Sequence, residues 1–185
     1  MPGDKQVAVS KTDQESLQLL TFMLDQEVYG TDISQIQEVL EYRKVTPVPR
    51  TPDFMLGVIN LRGNVVPVVD LRRQFEMNIT ETTVDTCIII VDVDVDGEKT
   101  PLGILADAVK EVITLGPDQI SPPPRIGSRI DTRFISAMGK HDGQFVVILN
   151  LPKVFSQDEL DEVIDTVQYA ESAELDETSP DEGSD

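Results

Sequence analysis

Three aspartates at alternate positions, Asp92, Asp94 and Asp96, stand directly before Gly97. This spacing opens the calcium-binding loop of an EF-hand, because carboxylate oxygens are ligands that Ca²⁺ prefers. The loop also needs flanking helices and a glutamate at its twelfth position, which is Gly103 in this chain. The residues before the aspartates instead have the β-branched composition of a strand. The pattern therefore favours a β-hairpin, and a calcium-responsive or other small-ligand β-domain that uses these aspartates is kept as the alternative function.

The chain contains one histidine, His141, and one cysteine, Cys87. A metal site built from these residue types needs more ligands than one of each, and Cys87 lies in an apolar run typical of a strand interior. No nucleophile elbow, phosphate-binding loop or dinucleotide-binding fingerprint appears in the sequence. The sequence thus predicts no catalytic residue, no metal and no cofactor, in a protein that is not an enzyme.

The 185 residues carry a net charge of −19, and the acidity is unevenly distributed. Residues 158–185 contain 12 acidic residues and no lysine or arginine, while the rest of the chain holds 22 acidic and 15 basic residues. Nucleic acids and anionic lipid surfaces repel such a chain, so we expect protein partners, no nucleic acid and no direct membrane insertion. The sequence has no apolar run of about 18–20 residues and no signal peptide near its start, which predicts a cytoplasmic protein.

The segment at residues 57–72 reads GVINLRGNVVPVVDLR. Its apolar residues suit core strands and its glycines suit turns, which is one complete explanation of the segment. Arg62 adds an arginine at a tight hairpin turn, since the following Gly63 and Asn64 tolerate a positive φ. A guanidinium held on a rigid turn of an acidic protein is well suited to bind a carboxylate of a partner. Both interpretations stay open at this point.

These residues must be positioned by β-hairpins. Apolar runs of strand composition flank short turns four times along the chain, and Asp-Gly pairs mark two of the turns. The predicted pairs are Leu17–Leu24 with Val28–Asp32, Val58–Leu61 with Val65–Val69, Thr86–Val95 with Lys99–Leu105, and Ile135–Lys140 with Gln144–Leu149. Residues 108–115 are expected to form a further strand. Strands of this length are not stable alone, so the sequence predicts an all-β fold closed into barrels or a sandwich.

Two segments between the hairpins have their own signals. Ser34 with Gln37 three residues later resembles a capping box, which predicts one helical turn over residues 34–39. The segment at residues 46–52 contains three prolines, which remove backbone donors and fix φ, so it is expected to be an extended linker.

The apolar period changes near the C-terminus. Ser156 and Glu159 have the spacing of a capping box, and apolar residues then follow at helical spacing. The stripe consists of Leu160, Val163, Ile164 and Val167. The spacing predicts an amphipathic helix over residues 156–170 whose stripe packs on the domain or on a partner.

The remaining boundaries follow from composition. Residues 1–16 are polar without periodicity and are expected to be disordered. Residues 171–185 are rich in Ser, Asp, Glu and Pro and are expected to form an acidic disordered tail. The folded domain is predicted to span residues 17–155 as two β-barrel subdomains.

With these residues in view, the sequence resembles the CheW family, whose signature is a GVINLRG segment followed by a strand of the kind VVPVVDLR. Both parts of the signature lie within residues 57–72. The resemblance also includes FMLDQEVYGTDI at residues 22–33, TPVP at 46–49 and LGILADAVKEV at 102–112. It covers roughly residues 17–155, so the acidic C-terminal region lies outside the part that the family explains.

The resemblance implies a fold of two intertwined five-stranded β-barrels, of the Src-homology-3-like or OB-like kind, that share a core. It also implies a chemotaxis coupling or scaffold protein of the cytoplasm. Family members join the cytoplasmic tips of methyl-accepting chemoreceptors to the regulatory domain of the histidine kinase CheA, in signalling arrays at the inner membrane. The turn-bearing strands of the second barrel would face CheA. The receptor-binding residues that the resemblance implies are Ile33, Ile36, Glu38, Val39, Gly57 and Arg62.

A rival within the same fold is a signalling variant of the CheV kind, which attaches a phosphorylatable receiver to a similar domain. A receiver needs a further stretch of about 100 residues in which strands and helices alternate. The pattern of this chain predicts no such stretch.

Overall fold

The computed structural model describes residues 16–79, 81–123 and 131–184, and for residues 173–184 it describes the backbone alone. Within these residues the chain is built mainly of short strands. The strands are β1 (Leu17–Leu24), β2 (Glu27–Asp32), β3 (Ile36–Glu41), β4 (Met55–Leu61), β5 (Asn64–Asp70), β6 (Cys87–Val95), β7 (Glu98–Ala106), β8 (Ala108–Leu115), β9 (Ile120–Ser121), β10 (Ile135–His141) and β11 (Gln144–Leu149). The helices are α1 (Leu71–Gln74), α2 (Leu151–Val154) and α3 (Gln157–Ser184), and 3₁₀ turns cover Ile33–Gln35, Pro117–Gln119 and Thr132–Phe134.

The strands form two sheets, one in the order β8-β1-β2-β11-β10-β9 and the other in the order β3-β6-β7-β5-β4. All four predicted hairpins are present, as the antiparallel pairs β1–β2, β4–β5, β6–β7 and β10–β11. Parallel contacts between β2 and β11 and between β5 and β7 join hairpins that are distant in the chain. The all-β prediction is confirmed, and the first sheet exceeds the expected five strands by the two-residue β9.

Each sheet has apolar side chains on both of its faces. The largest cluster lies between the sheets and combines Phe22 and Tyr29 from one with Val69, Ile89 and Ile104 from the other. A separate cluster fills the far side of each sheet. Ile59, Val66, Val68, Ile88 and Ile90 belong to the five-stranded sheet, and Leu19, Ile113, Leu115, Val146 and Ile148 belong to the six-stranded sheet. One core shared by the two sheets, with a further core belonging to each sheet, matches the predicted pair of barrels.

A buried ion-pair cluster connects the two sheets at the end of β5. Arg72 is 4% exposed, and its Nε donates to Asp70 Oδ1 at 2.9 Å. Arg72 Nη1 donates to Asp107 Oδ1 at 2.9 Å, and the other oxygen of Asp107 accepts the backbone N–H of Asp25 at 2.8 Å. Burial lowers the pKa of Arg72, but the hydrogen bond and the charge of Asp70, with the charges of Asp107 and Asp25, outweigh it and hold this pKa above the usual value. The guanidinium therefore stays charged and ties the β5 end to the β1–β2 turn.

Helix α3 begins with the predicted capping box. Ser156 Oγ accepts the backbone N–H of Glu159 at 3.1 Å, and Glu159 Oε1 accepts the backbone N–H of Ser156 at 2.8 Å. Leu160 and Val163 are 6% and 2% exposed, and the helix packs on β5, β4 and β6. The predicted C-terminal helix is thus present, and its apolar stripe packs on the domain with Leu160 and Val163 buried and Ile164 and Val167 half-buried.

The end of α3 differs from the predicted boundary. The sequence places the end of the helix at Ala170, which is the last buried side chain described, whereas the helical backbone continues to Ser184. The backbone hydrogen bonds of a helix are formed within the chain, so they can extend past the last buried side chain. Of the predicted N-terminal disordered segment, residues 1–15 lie outside the described residues. In the part of the chain that the structure describes, no helix is long and apolar enough to cross a bilayer.

The helical turn predicted for residues 34–39 is wrong in position and in its cap. The structure has a 3₁₀ turn at Ile33–Gln35, and the side chain of Asp32, rather than Ser34, accepts the capping N–H. The chain then enters β3, because the alternation of Ile36, Glu38 and Leu40 with exposed residues has the period of a strand. Glu38 thus lies on an edge strand of the five-stranded sheet.

Candidate functional site

The structure brings Arg62 and Glu38 together, although 24 residues separate them in the sequence. Arg62 occupies the turn between β4 and β5 with φ 52°, and Glu38 lies on β3. Arg62 Nη1 donates to Glu38 Oε1 at 3.2 Å, and Nη2 donates to Oε2. The two side chains form a bidentate ion pair that joins the two edge strands of the five-stranded sheet through the hairpin turn.

The ion pair is accessible from solvent, with 66% of the Arg62 side chain and 28% of the Glu38 side chain exposed. The hydrogen bond from Arg62 lowers the pKa of Glu38, and the same bond raises the pKa of Arg62. Both groups are therefore charged at neutral pH. Exposed ion pairs contribute little to folding stability, so either partner can exchange its bond for one to another protein at small cost.

Apolar side chains lie on the same strand and on the turn before it. Ile33 is 37% exposed and Val39 is 43% exposed, while Ile36 is half-buried against the main core. The combination of an exposed guanidinium with exposed aliphatic side chains can bind a protein surface that offers a carboxylate beside apolar residues.

Gly57 differs from the other residues in the predicted receptor-binding set because it is buried. A Cβ atom at this position would lie 2.1 Å from the backbone oxygen of Thr46. Thr46 and Val58 exchange backbone hydrogen bonds of 2.9 Å, which attach the proline-rich linker to the free edge of β4. The glycine is thus required for the close approach of the linker, and any role in binding would be indirect.

The sequence reasoning did not find two residues that support the pair. Arg43 Nη1 donates to the backbone oxygen of Asn60 at 3.1 Å, and its charge helps to lower the pKa of Glu38. Asn60 Oδ1 accepts the backbone N–H of Gly63 at 2.9 Å, which fixes the turn that carries Arg62. The asparagine three residues before Gly63 was a usable signal, whereas nothing local in the sequence indicates the contact of Arg43.

The aspartates of the β6–β7 hairpin have hydrogen-bond partners within the protein. Asp92 accepts from the side chain of Gln37, Asp94 Oδ1 accepts the backbone N–H of Gly97 at 2.8 Å, and Asp96 accepts from Gln157 at 3.3 Å. Among the described residues, no group of three or more His, Cys, Asp or Glu side chains could hold a metal ion. Cys87 is buried, which raises the pKa of its thiol, and His141 Nε2 lies 3.4 Å from Asp142 Oδ2.

Comparison with known proteins identifies the family to which the chain belongs. The family model of the CheW-like domain matches residues 18–159. The chain belongs to the CheW-like domain family.

Individual relatives agree with this assignment. The chain is 33% identical over 154 residues to the chemotaxis protein CheW of Klebsiella aerogenes, and the match covers 82% of this chain and 90% of that protein. It is 29% identical to the chemotaxis protein CheW of Treponema pallidum, over 80% of this chain and 87% of that protein. The crystal structure of the scaffolding protein TtCheW from Thermoanaerobacter tengcongensis superposes with a TM-score of 0.69 at 36% identity, over 77% of this chain and 94% of that chain.

These matches support a chemotaxis coupling protein of the scaffold or adaptor kind, as the sequence predicted. The CheW-like domain model includes every residue of the predicted receptor-binding set and ends at residue 159, near the start of α3. Most of α3 therefore lies beyond the part of the chain that the family model describes.

Proposed function

We propose that this CheW-like domain couples methyl-accepting chemoreceptors to the histidine kinase CheA, without catalysing a reaction itself. In this proposal the receptor tip binds the surface formed by Ile33, Glu38, Val39 and Arg62, and the kinase regulatory domain binds elsewhere on the barrels. The protein would lie in the cytoplasm and reach receptor arrays at the inner membrane through these two partners.

The observation that carries the proposal is the exposed Arg62–Glu38 pair beside exposed aliphatic side chains. A partner carboxylate can replace Glu38 on the guanidinium, and Ile33 and Val39 supply apolar area that such a contact would bury. The rigid turn that carries Arg62 supports this use, because a preorganised side chain loses little entropy on binding.

The proposal is tested by charge reversal at the pair. Arg62→Glu sets two carboxylates together and would repel a partner carboxylate, so we expect binding to a receptor cytoplasmic fragment to weaken at least about tenfold, or about 1.4 kcal/mol. Binding to the receptor fragment and to the CheA regulatory domain is measured separately by titration calorimetry, with circular dichroism as the check on folding.

A control is available at Arg133, whose side chain is 76% exposed and paired with Asp131, because its Nε and Nη2 both donate to Asp131 Oδ2. Arg133→Glu makes the same change of charge away from the site, and we expect it to leave receptor binding nearly unchanged. Normal binding of Arg62→Glu to both partners would show that the proposed surface is not the receptor contact.

A further inference from the structure

A groove lies between the proline-rich linker and helix α3. It consists of two adjoining cavities of about 400 and 590 Å³, and Val48, Pro49 and Tyr169 line both of them. The floor is formed by Val58 and Val65 of the β4–β5 hairpin. We call this feature the linker–helix groove.

The walls of the linker–helix groove expose apolar surface. Tyr169 is 57% exposed, Pro49 is exposed and Val48 is half-buried. Tyrosine and aliphatic side chains at an open groove are typical of protein-binding surfaces, because they offer large contact areas at a small loss of side-chain entropy.

The helix wall of the groove is acidic. Glu162 and Asp165 line the larger cavity, and neither forms a salt bridge with another residue in the part of the chain that the structure describes. The sequence of α3 contains no lysine or arginine that could neutralise them. Arg50, on the linker, is the basic residue of the larger cavity. The electrostatic complement of the helix wall is therefore a cation.

We propose that the linker–helix groove docks a segment of a protein partner that carries lysine or arginine next to aliphatic residues. The aliphatic side chains would pack on Val48, Pro49 and Tyr169, and the cation would lie beside Glu162 and Asp165. The helix wall, with Glu162, Asp165 and Tyr169, lies beyond residue 159 and so outside the part of the chain that the family model matches. The proposal is also independent of the receptor contact at Arg62.

The first test uses a synthetic peptide of repeating Lys-Leu-Pro units as the probe, with a Glu-Leu-Pro peptide for comparison. Each is titrated into the full-length ¹⁵N-labelled protein, and binding is followed by chemical-shift changes and by fluorescence anisotropy of the labelled peptide. We expect the lysine peptide to bind, with shift changes in residues 46–50, 58–60 and 162–170, and the glutamate peptide not to bind. No binding of the lysine peptide, or shift changes located elsewhere, would overturn the proposal.

The second test separates a specific groove from the general acidity of the chain. Glu162→Lys with Asp165→Lys reverses the helix wall, while Asp161→Lys with Glu171→Lys makes the same change of net charge at exposed residues that do not line the groove. We expect the first pair to weaken peptide binding about tenfold and the second pair less than about twofold. Equal weakening by both pairs of substitutions would show that the peptide binds through the net charge of the protein, and it would refute the docking site.

The apolar contribution is tested at Tyr169. Tyr169→Ala is expected to weaken binding at least about fivefold, whereas Gln168→Ala, at an exposed neighbouring position, is expected to leave it unchanged. Arg62→Glu distinguishes this proposal from the receptor proposal, because it is expected to weaken receptor binding and to leave peptide binding unchanged. Loss of receptor binding in Arg62→Glu with peptide binding retained would support both proposals, and either can fail without the other.

Discussion

At the scale of single residues, Gly57 shows how a position in the predicted receptor-binding set can act through the fold. Its φ is 149°, and a Cβ atom would lie 2.1 Å from Thr46 O, which leaves no room for a side chain. The linker that begins at Thr46 would have to move, and it runs beside the strand that leads to Arg62. A receptor-binding defect in a Gly57 variant would therefore report a displaced linker, without a direct contact to the receptor.

We expect Gly57→Ala to lower the free energy of unfolding by roughly 2–4 kcal/mol, because backbone strain and overpacking act together. Gly97→Ala is the matched control, since Gly97 has φ 85° but no atom lies within 4 Å of its Cβ position, so only the strain applies. Urea denaturation measures both variants. Equal losses in the two variants would show that the linker yields to the new methyl group at no cost.

At the scale of secondary structure, the hairpins and the start of α3 were predictable because their signals are local. Asp-Gly turns fix the β6–β7 and β10–β11 hairpins, and the reciprocal bonds of Ser156 and Glu159 follow from residues three apart. The parallel contacts between β2 and β11 and between β5 and β7 leave no local pattern. The same holds for the Arg62–Glu38 pair, whose partners meet only after the five-stranded sheet has formed. The family signature supplied these residues as a set, but their geometry required the structure.

At this scale we predict that the buried first half of helix α3 stabilises the fold and that its acidic end does not. Truncation after Phe155 removes the buried Leu160 and Val163 and exposes the core beneath them. We expect a loss of at least about 3–4 kcal/mol in the free energy of unfolding, since each buried side chain of this kind is worth about 1.5–3 kcal/mol. Truncation after Glu171 removes no described buried side chain, so we expect the melting temperature to change little.

Thermal denaturation followed by circular dichroism measures both truncations. The variant Leu160→Ala with Val163→Ala provides a check that keeps the full chain, and it should be destabilised in the same direction as the shorter truncation. If cutting after Phe155 leaves the melting temperature unchanged, the packing of α3 on the five-stranded sheet contributes nothing to stability.

At the scale of the whole molecule, the two sheets are joined by more than their shared apolar core. Arg72 binds Asp70 at the end of β5, and Asp107 connects Arg72 to the backbone of Asp25 in the β1–β2 turn. The backbone N–H of Asp107 also donates to the backbone oxygen of Met23 at 2.9 Å. Strand β5 begins directly after the turn that carries Arg62 and ends at this cluster. The proposed receptor contact and the junction between the sheets therefore lie at opposite ends of strand β5.

This arrangement predicts that Arg72 strongly stabilises the folded state, because its removal leaves the 1%-exposed side chain of Asp70 without its buried cation. Loss of one partner of a buried ion pair typically costs about 3–5 kcal/mol, so Arg72→Met should lose about that much in urea denaturation. Arg73→Met is the matched control, since Arg73 is 44% exposed and lies 3.7 Å from the same carboxylate. It should cost about 1 kcal/mol or less. Adding Asp70→Asn to Arg72→Met should recover part of the loss, because it removes the unpaired charge. If Arg72→Met and Arg73→Met are equally mild, the two sheets are held together by their apolar core alone, and the ion-pair cluster has no part in joining them.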